Sequence, residues 1–162
     1  MTILAVTGHM DLTDDTVPLV RRALRKILAE YRGGELVGIS CIAKGSDSLF
    51  AEAVLEAGGR LVVVIPSQDY RERKVKPDHA ATFDRLTAAA SEVVVMPHAT
   101  ADRSAYEAAN TVLLERGERL VAVWNGQPPG AKGGGTADVV LAARSSGLPV
   151  DVVWPEGAAR GT

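Results

Sequence analysis

Three short segments of the sequence combine glycine with side chains that could hydrogen-bond a ligand. They are Gly8-His9, the run Lys44-Gly45-Ser46-Asp47 and the run Gly133-Gly134-Gly135-Thr136. Glycine lets a ligand approach the backbone closely, and free amides at the start of a helix attract anions. Lys44 adds a positive charge and Thr136 adds a hydroxyl. This chemistry suits a phosphate or a sugar, although each segment alone also fits a plain turn or a helix cap.

Other kinds of site have less support in the sequence. It contains neither the phosphate-loop motif Gly-x-x-x-x-Gly-Lys-[Ser/Thr] nor a Gly-x-Gly-x-x-Gly run after the first predicted strand. This argues against nucleoside triphosphate hydrolysis and against an ordinary NAD dehydrogenase. His9, His79 and His98 lack metal-ligand spacing. Cys41 has no nearby histidine and is interpreted as a small buried side chain. We therefore predict no metal and no cofactor.

The composition argues against several classes of protein. Among 162 residues, 18 Lys and Arg stand against 20 Asp and Glu, a formal net charge of −2, and aromatic residues make up 4%. A dedicated nucleic-acid binder would be basic and would carry aromatic residues for base stacking. The longest apolar run, residues 61–65, is too short to span a bilayer, and the first residues lack the basic start of a signal peptide. With a single cysteine, the chain is expected to be cytoplasmic.

Short β-branched runs alternate with longer stretches rich in Ala, Leu, Glu and Arg. The runs predict six strands, near residues 3–6, 36–41, 61–65, 93–96, 120–124 and 150–153. Helical spacing and helix-end signals predict a helix after each of the first five strands, near residues 17–31, 46–57, 78–90, 103–115 and 136–145. Residues 67–77 carry four basic side chains and are predicted to form a loop.

This alternation predicts an α/β fold. Strands that are apolar at consecutive positions are typical of a sheet covered by helices on both faces. With right-handed crossovers, the result is a three-layer, Rossmann-like, doubly wound and mostly parallel sheet of about six strands. We predict a single domain over residues 1–155 and a flexible tail over residues 156–162. In such sheets ligands bind beyond the carboxyl ends of the strands, where the strand order reverses, and the glycine segments lie in such loops.

The order of these segments resembles a known superfamily. Gly8-His9, the run Ala-Lys-Gly-Ser-Asp at 43–47 and the run Val-Val-Ile-Pro at 63–66 resemble the SLOG group. That group includes the DNA-processing protein A domain and the Lonely Guy phosphoribohydrolases. The segments 106–110, 121–126 and 134–140 are most similar to its small YspA-like branch. The resemblance covers roughly residues 3–155 and implies a Rossmann-like fold that binds nucleotides or their derivatives through the glycine loops.

The segments and the resemblance together predict a ligand-binding site. Its residues are Gly8, His9, Lys44, Gly45, Ser46, Asp47, Tyr106, Asn110, Gly133, Gly134, Gly135 and Thr136. Tyr106 and Asn110 are expected to contact the base or the ribose from the side. Lonely Guy enzymes carry Pro-Gly-Gly-x-Gly-Thr-x-x-Glu, whose Glu supports cleavage of the N-glycosidic bond, and Val139 stands in its place. Valine takes no part in proton transfer, which argues against that hydrolase activity.

We therefore predict a nucleotide-binding module, a sensor or carrier of a ribose-phosphate ligand, rather than an enzyme. The alternative is a nucleoside-monophosphate N-glycosidase whose acid–base group is Asp47, Glu107 or Asp138; no catalytic residue is assigned. The predicted partner is a small-molecule nucleotide or derivative, with no membrane, and nucleic acid is the least favoured partner. A homodimer or higher homo-oligomer is expected, because the helix faces are richer in Ala and Leu than one small sheet requires.

Overall fold

The computed structural model describes residues 1–31, 35–130 and 135–161. Its strands are β1 (Thr2–Gly8), β2 (Leu36–Ser40), β3 (Arg60–Ile65), β4 (Glu92–Val95), β5 (Arg119–Val123) and β6 (Val150–Val153). Its helices are α1 (Thr16–Leu28), α2 (Ser46–Glu56), α3 (Tyr70–Lys74), α4 (Pro77–Ala89), α5 (Arg103–Arg116) and α6 (Thr136–Ser145). Every predicted strand and helix is present, and only α3 is additional in this part of the chain.

All six strands of the described chain form one parallel sheet in the order β4-β3-β2-β1-β5-β6. The chain moves outward from β1 to β4 and then returns to the other side of β1 with β5. The strand order therefore reverses between β1 and β5. A crevice for ligands forms beyond the carboxyl ends of the strands at such a point. The predicted α/β, doubly wound, Rossmann-like class is confirmed.

Helices cover both faces of the sheet, which explains the consecutive apolar residues in its strands. Leu4 of β1 packs on one face with Leu24 of α1 and Phe50 of α2. Its neighbour Ala5 points to the other face, in a cluster with Leu113 of α5 and Val140 of α6. Because successive strand residues alternate between faces, a strand buried on both sides must be apolar throughout.

The segment 67–77 contains helix α3, so its prediction as a loop throughout is wrong. Tyr70 begins this helix and is only 6% exposed. Its ring lies 6.0 Å from that of Phe83 and 6.3 Å from that of Tyr106, measured between centroids. The basic side chains that suggested a loop lie on the outside, where Arg71 binds Asp84 through two hydrogen bonds of 2.7 and 2.6 Å. Burial of one tyrosine thus orders a segment whose composition is that of a solvated loop.

The segment after β6 lies against the connection between β1 and α1. The Thr13 amide donates to the Ala159 carbonyl oxygen (3.2 Å), and the Ala159 amide donates to Thr16 Oγ1 (2.8 Å). Arg160 Nε donates to Asp11 Oδ1 (2.8 Å). The flexibility predicted for residues 156–162 stays a prediction. These contacts place residues 159 and 160 beside the loop between β1 and α1 (residues 9–15), which we call the β1 loop.

Candidate functional site

A cleft of about 700 Å³ lies beyond the carboxyl ends of β1 and β5, where the strand order reverses. Seven predicted site residues line it: Gly8, His9, Asp47, Tyr106, Asn110, Gly135 and Thr136. Three others do not: Lys44, Gly45 and Ser46. Gly133 and Gly134 lie outside the described residues. The structure thus brings the β1 loop, one side of α5 and the start of α6 together around one space.

At the floor of the cleft, His9 joins the β1 loop to the segment that follows β5 (residues 124–130), which we call the β5 loop. Its amide donates to the Val123 carbonyl oxygen (3.1 Å), and its Nε2 accepts from the Asn125 amide (3.1 Å). Because Nε2 accepts a hydrogen bond, the ring is neutral and carries its proton on Nδ1. Burial of the ring, and then the positive charge of Arg160, lower the pKa of His9, which favours this neutral form.

Gly45 and Ser46 connect the start of α2 to the β1 loop rather than to the cleft. Gly45 has a φ of +87°, and a Cβ there would come within 2.8 and 2.9 Å of the carbonyl oxygens of Met10 and His9. Ser46 is fully buried and donates to the His9 carbonyl oxygen from both its amide (3.3 Å) and its Oγ (2.8 Å). These residues hold the β1 loop in place from behind.

Asp47 is the residue of this turn that reaches the cleft. Burial raises the pKa of Asp47 to about 7, while a backbone hydrogen bond with Ala43 acts in the opposite direction. Burial, and then the charge of Asp47, also raise the pKa of the Cys41 thiol and of the Tyr70 hydroxyl. Cys41 is buried, as predicted, and stays protonated. The cleft therefore contains one carboxyl group whose charge changes near neutral pH.

Aromatic rings form the side of the cleft nearest α5. Tyr106 and Asn110 are one helical turn apart on α5 and share a face. Tyr70 meets the Tyr106 ring edge-on, at an interplanar angle of 79°. Burial, and then the charge of Asp69, raise the pKa of Tyr106, so its hydroxyl remains a hydrogen-bond donor at neutral pH. This wall offers apolar rings together with one amide and two hydroxyls.

The first turn of α6 forms another wall. The Gly135 amide donates to Asp138 Oδ2 (3.0 Å), so that this carboxylate caps the start of the helix. Thr136 is the first residue of the helix and also lines the cleft. Val139 is only 5% exposed and packs in the core cluster that contains Leu120 and Ala122. The position of the Lonely Guy glutamate is therefore an apolar part of the cleft floor.

The lining also contains residues that were missing from the predicted site, among them Tyr70, Trp124, Asn125 and Arg160. Trp124 Nε1 donates to the Gln127 carbonyl oxygen (3.0 Å), and Asn125 Oδ1 accepts from the Gln127 amide (3.1 Å), which fixes the β5 loop. Trp124 ends the fifth predicted strand and Asn125 follows it, so their place at the carboxyl end of that strand could have indicated them. Tyr70 and Arg160 have no such signal, since tertiary contacts alone bring them to the cleft.

The charges around the cleft are mixed. Among the described residues, its lining contains three cationic side chains, Lys74, Lys76 and Arg160, and three carboxylates, Asp11, Asp47 and Asp138. Lys44, predicted to add positive charge, instead pairs with Asp78 on the surface (2.6 Å). No group of three His, Cys, Asp or Glu in the described chain could hold a metal ion. The glycosidase candidate Glu107 is exposed, pairs with Arg103 (2.9 Å) and is not part of the lining.

Replacing Gly8 by alanine is expected to destabilise the protein. A Cβ at Gly8 would lie 2.4 Å from Ser46 Cβ and 2.8 Å from Val123 Cβ, and overpacking of this kind costs about 1–3 kcal/mol. We expect a lower Tm for Gly8→Ala in thermal unfolding followed by circular dichroism. Gly130→Ala is the control, because no heavy atom in the part of the chain that the structure describes lies within 4 Å of its added Cβ. Equal stability of the two variants would contradict the packing described here.

Solved structures share this arrangement of strands and helices. DNA processing protein A from Streptococcus pneumoniae matches 97% of this chain with a TM-score of 0.68 at 17% identity. The same protein from Helicobacter pylori, described as binding single-stranded DNA, matches 98% with a TM-score of 0.66 at 14% identity. This chain has a SLOG-type fold. It spans 52% of the pneumococcal chain and 68% of the Helicobacter chain.

A third solved structure with this fold is the molybdenum cofactor carrier protein from Chlamydomonas reinhardtii. It matches 93% of this chain with a TM-score of 0.58 at 17% identity, and this chain spans 75% of it. By sequence, no family model and no curated protein matches. The expected SLOG resemblance is thus confirmed at the level of the fold. In the described part of the chain, no helix combines the length and the apolar character needed to cross a membrane.

Proposed function

We propose that this protein binds a nucleotide or a nucleotide derivative in the cleft and acts as a sensor or carrier module. The observation that carries the proposal is the position of the cleft, between the loops that follow β1 and β5. Doubly wound sheets bind their ligands at such a reversal of strand order, and about 700 Å³ is within the range of small-molecule sites. The likeness to a molybdenum cofactor carrier protein supports a carrier rather than a catalyst.

The carboxylates of the cleft suit the hydroxyl groups of a ribose. Asp47 is at the start of α2 and Asp138 at the start of α6. An ionised carboxylate only accepts hydrogen bonds, and an acidic residue binds ribose hydroxyls in the same way in dinucleotide-binding folds. We assign the ribose to the space that Asp47 and Asp138 line. The Gly135 amide already donates to Asp138, so we assign the phosphate to the Thr136 side of the first turn of α6, where the helix dipole favours an anion.

The ligand base is assigned to the wall formed by Tyr106 and Asn110. Removing an aromatic ring that stacks on a base costs about 1–3 kcal/mol. Tyr106→Ala is therefore expected to weaken binding about tenfold to a hundredfold in calorimetric titrations with a panel of nucleoside mono- and diphosphates. Tyr106→Phe, which keeps the ring, is the matched control, and its affinity for the nucleotide should fall much less. Equal affinity of Tyr106→Ala and the wild type would remove this wall from the site.

The glycosidase alternative is supported by one observation, the raised pKa of Asp47. A carboxyl group with a pKa of about 7 is suited to donate a proton to a leaving group at neutral pH. Under our proposal the protein releases no free base from AMP or its N6-substituted analogues, because Val139 replaces the glutamate. Release of base that Asp47→Asn or Asp138→Asn abolishes would favour the enzyme instead.

We propose a small molecule rather than DNA as the partner. The Helicobacter relative is described as a binder of single-stranded DNA, but this chain has a formal net charge of −2. Phosphate-backbone binding depends on a surplus of Lys and Arg. Labelled single-stranded DNA at low salt should therefore show no binding at micromolar protein, and saturable binding that salt weakens would favour DNA.

We also propose that the protein forms a homodimer or a higher homo-oligomer. Strand β4 is at an edge of the sheet, with Val93 and Val95 respectively 40% and 50% exposed. Edge strands with exposed apolar side chains readily pair with another chain. Light scattering at micromolar concentration should give at least twice the mass of one chain, and the mass of a single chain would contradict this.

A further inference from the structure

Arg160 is held beside the β1 loop by backbone contacts on both sides of it. Before it, the Ala159 carbonyl oxygen accepts from the Thr13 amide (3.2 Å). After it, the Gly161 amide donates to the Asp11 carbonyl oxygen. Arg160 itself forms an antiparallel bridge with the β1–α1 connection. These contacts fix the backbone of Arg160 at the edge of the cleft, and Arg160 is part of the cleft lining.

The guanidinium group of Arg160 uses one donor toward the described residues. Its Nε donates to Asp11 Oδ1 (2.8 Å), and its terminal nitrogens donate to no described residue. Four other arginines each bind a carboxylate through two nitrogens: Arg25, Arg71, Arg116 and Arg119. Asp11 thus orients the Arg160 side chain without occupying its pair of terminal nitrogens, which is the pair that matches a phosphate.

The start of α2 offers an anion less than its sequence suggests. Ser46 gives both its amide and its Oγ to the His9 carbonyl oxygen. Asp47 places a carboxyl group in the same turn, and Lys44 pairs with Asp78 away from the cleft. A negatively charged group is therefore favoured beside the positive charge of Arg160, which lines the cleft, rather than at the start of α2.

We propose that Arg160 forms an anion subsite of the cleft, in which its two terminal nitrogens bind a phosphate or a similar oxyanion group of the ligand. Such bidentate, charge-assisted contacts are among the strongest hydrogen bonds in proteins. Asp11 acts as a positioning residue for the guanidinium. The identity of the ligand rests on the proposed function, but the subsite itself requires only an oxyanion. No sequence pattern indicated this subsite, because residue 160 belongs to the predicted tail.

The test compares wild type, Arg160→Gln and Arg160→Lys by calorimetry, with the four nucleoside monophosphates, the four nucleosides and inorganic pyrophosphate as probes. Arg85→Gln is the control, since Arg85 pairs with Glu52 and does not line the cleft. We expect Arg160→Gln to weaken nucleoside monophosphate binding about tenfold to a hundredfold and to leave nucleoside binding unchanged. Arg160→Lys should retain part of the affinity because its charge remains.

The outcomes separate this inference from the proposed function. Equal weakening of nucleosides and nucleoside monophosphates in Arg160→Gln would mean that Arg160 only braces the β1 loop, and would overturn the subsite. Wild-type protein that binds nucleosides as tightly as nucleoside monophosphates would overturn the subsite and leave the proposed function standing. If the wild type binds no nucleotide but binds pyrophosphate, and Arg160→Gln does not, the subsite stands and the proposed function fails. If the wild type binds neither nucleotides nor pyrophosphate, both the subsite and the proposed function fail.

Discussion

Gly135→Asp is expected to remove nucleotide binding while leaving the folded protein as stable as the wild type. Gly135 lines the cleft and has extended backbone angles (φ −85°, ψ −174°), and no heavy atom of the described residues lies within 4 Å of an added Cβ. It is the N-cap of α6, where Asp and Asn are preferred residues. The added carboxylate would stand beside the proposed phosphate position. Loss of a charge-assisted contact of about 1.5–3 kcal/mol, together with repulsion, gives at least about a hundredfold weaker binding.

Gly135→Asn separates charge from size at this position. It has nearly the same shape as the aspartate variant and the same preference for the N-cap, but it carries no charge. Thermal unfolding with and without each nucleotide measures both effects, because a bound ligand raises Tm. We expect unchanged Tm values without ligand for both variants, and a ligand-induced rise that Asp abolishes and Asn largely keeps. A full ligand-induced rise in Gly135→Asp would show that the start of α6 is remote from the anion.

Asp47→Asn is expected to stabilise the protein at high pH. The pKa of Asp47 is about 7 in the folded protein, against about 3.9 in an unfolded chain. Between these pH values Asp47 is protonated in the folded state and ionised in the unfolded state. The folded state therefore binds one more proton, and the free energy of unfolding falls as the pH rises through this window. Each pKa unit corresponds to about 1.4 kcal/mol, which makes the total loss about 4 kcal/mol. The asparagine variant has no such loss.

Denaturant unfolding of both proteins at intervals from pH 4 to pH 9 measures this difference. The free energy of unfolding of Asp47→Asn should equal that of the wild type near pH 4 and exceed it by about 4 kcal/mol at pH 8. His9, whose pKa is lowered by burial and by Arg160, contributes equally to both proteins, so the difference isolates Asp47. Asp78→Asn is the control, because the bond to Lys44 lowers the pKa of Asp78 and its removal should bring no gain at high pH. A difference independent of pH would show that Asp47 is ionised throughout.

The sheet could be predicted because local patterns report burial directly. The predicted boundaries of α6 and β6 are those of the structure, Thr136–Ser145 and Val150–Val153. Runs that are apolar at consecutive residues require cover on both faces, and together with the alternation of strands and helices this indicates a parallel, doubly wound sheet. Helix α3 was missed because its one buried residue, Tyr70, depends on partners at positions 83 and 106. No pattern within the segment itself reports those contacts.

The candidate site could be predicted in outline but not in its contacts. The loops at the carboxyl ends of the strands indicated where a cleft forms, and Gly8, His9 and Thr136 all line it. Ser46 shows the limit of such reasoning, since its donors are used by His9, 37 positions earlier in the chain. A glycine-serine turn before a helix has the same sequence whether its amides face a ligand or a neighbouring loop. Only the tertiary arrangement distinguishes the two.

Native mass spectrometry of the folded wild-type protein, mixed in turn with nucleoside mono- and diphosphates, tests the proposed function most directly. It measures whether a nucleotide adds to the protein and in what ratio, without assuming which base is preferred. We predict one nucleotide per chain for at least one member of the series, and no adduct for Gly135→Asp under the same conditions. A folded wild-type protein that carries no nucleotide after purification, and that forms no adduct with any member of the series, would contradict the proposal that the cleft is a nucleotide site.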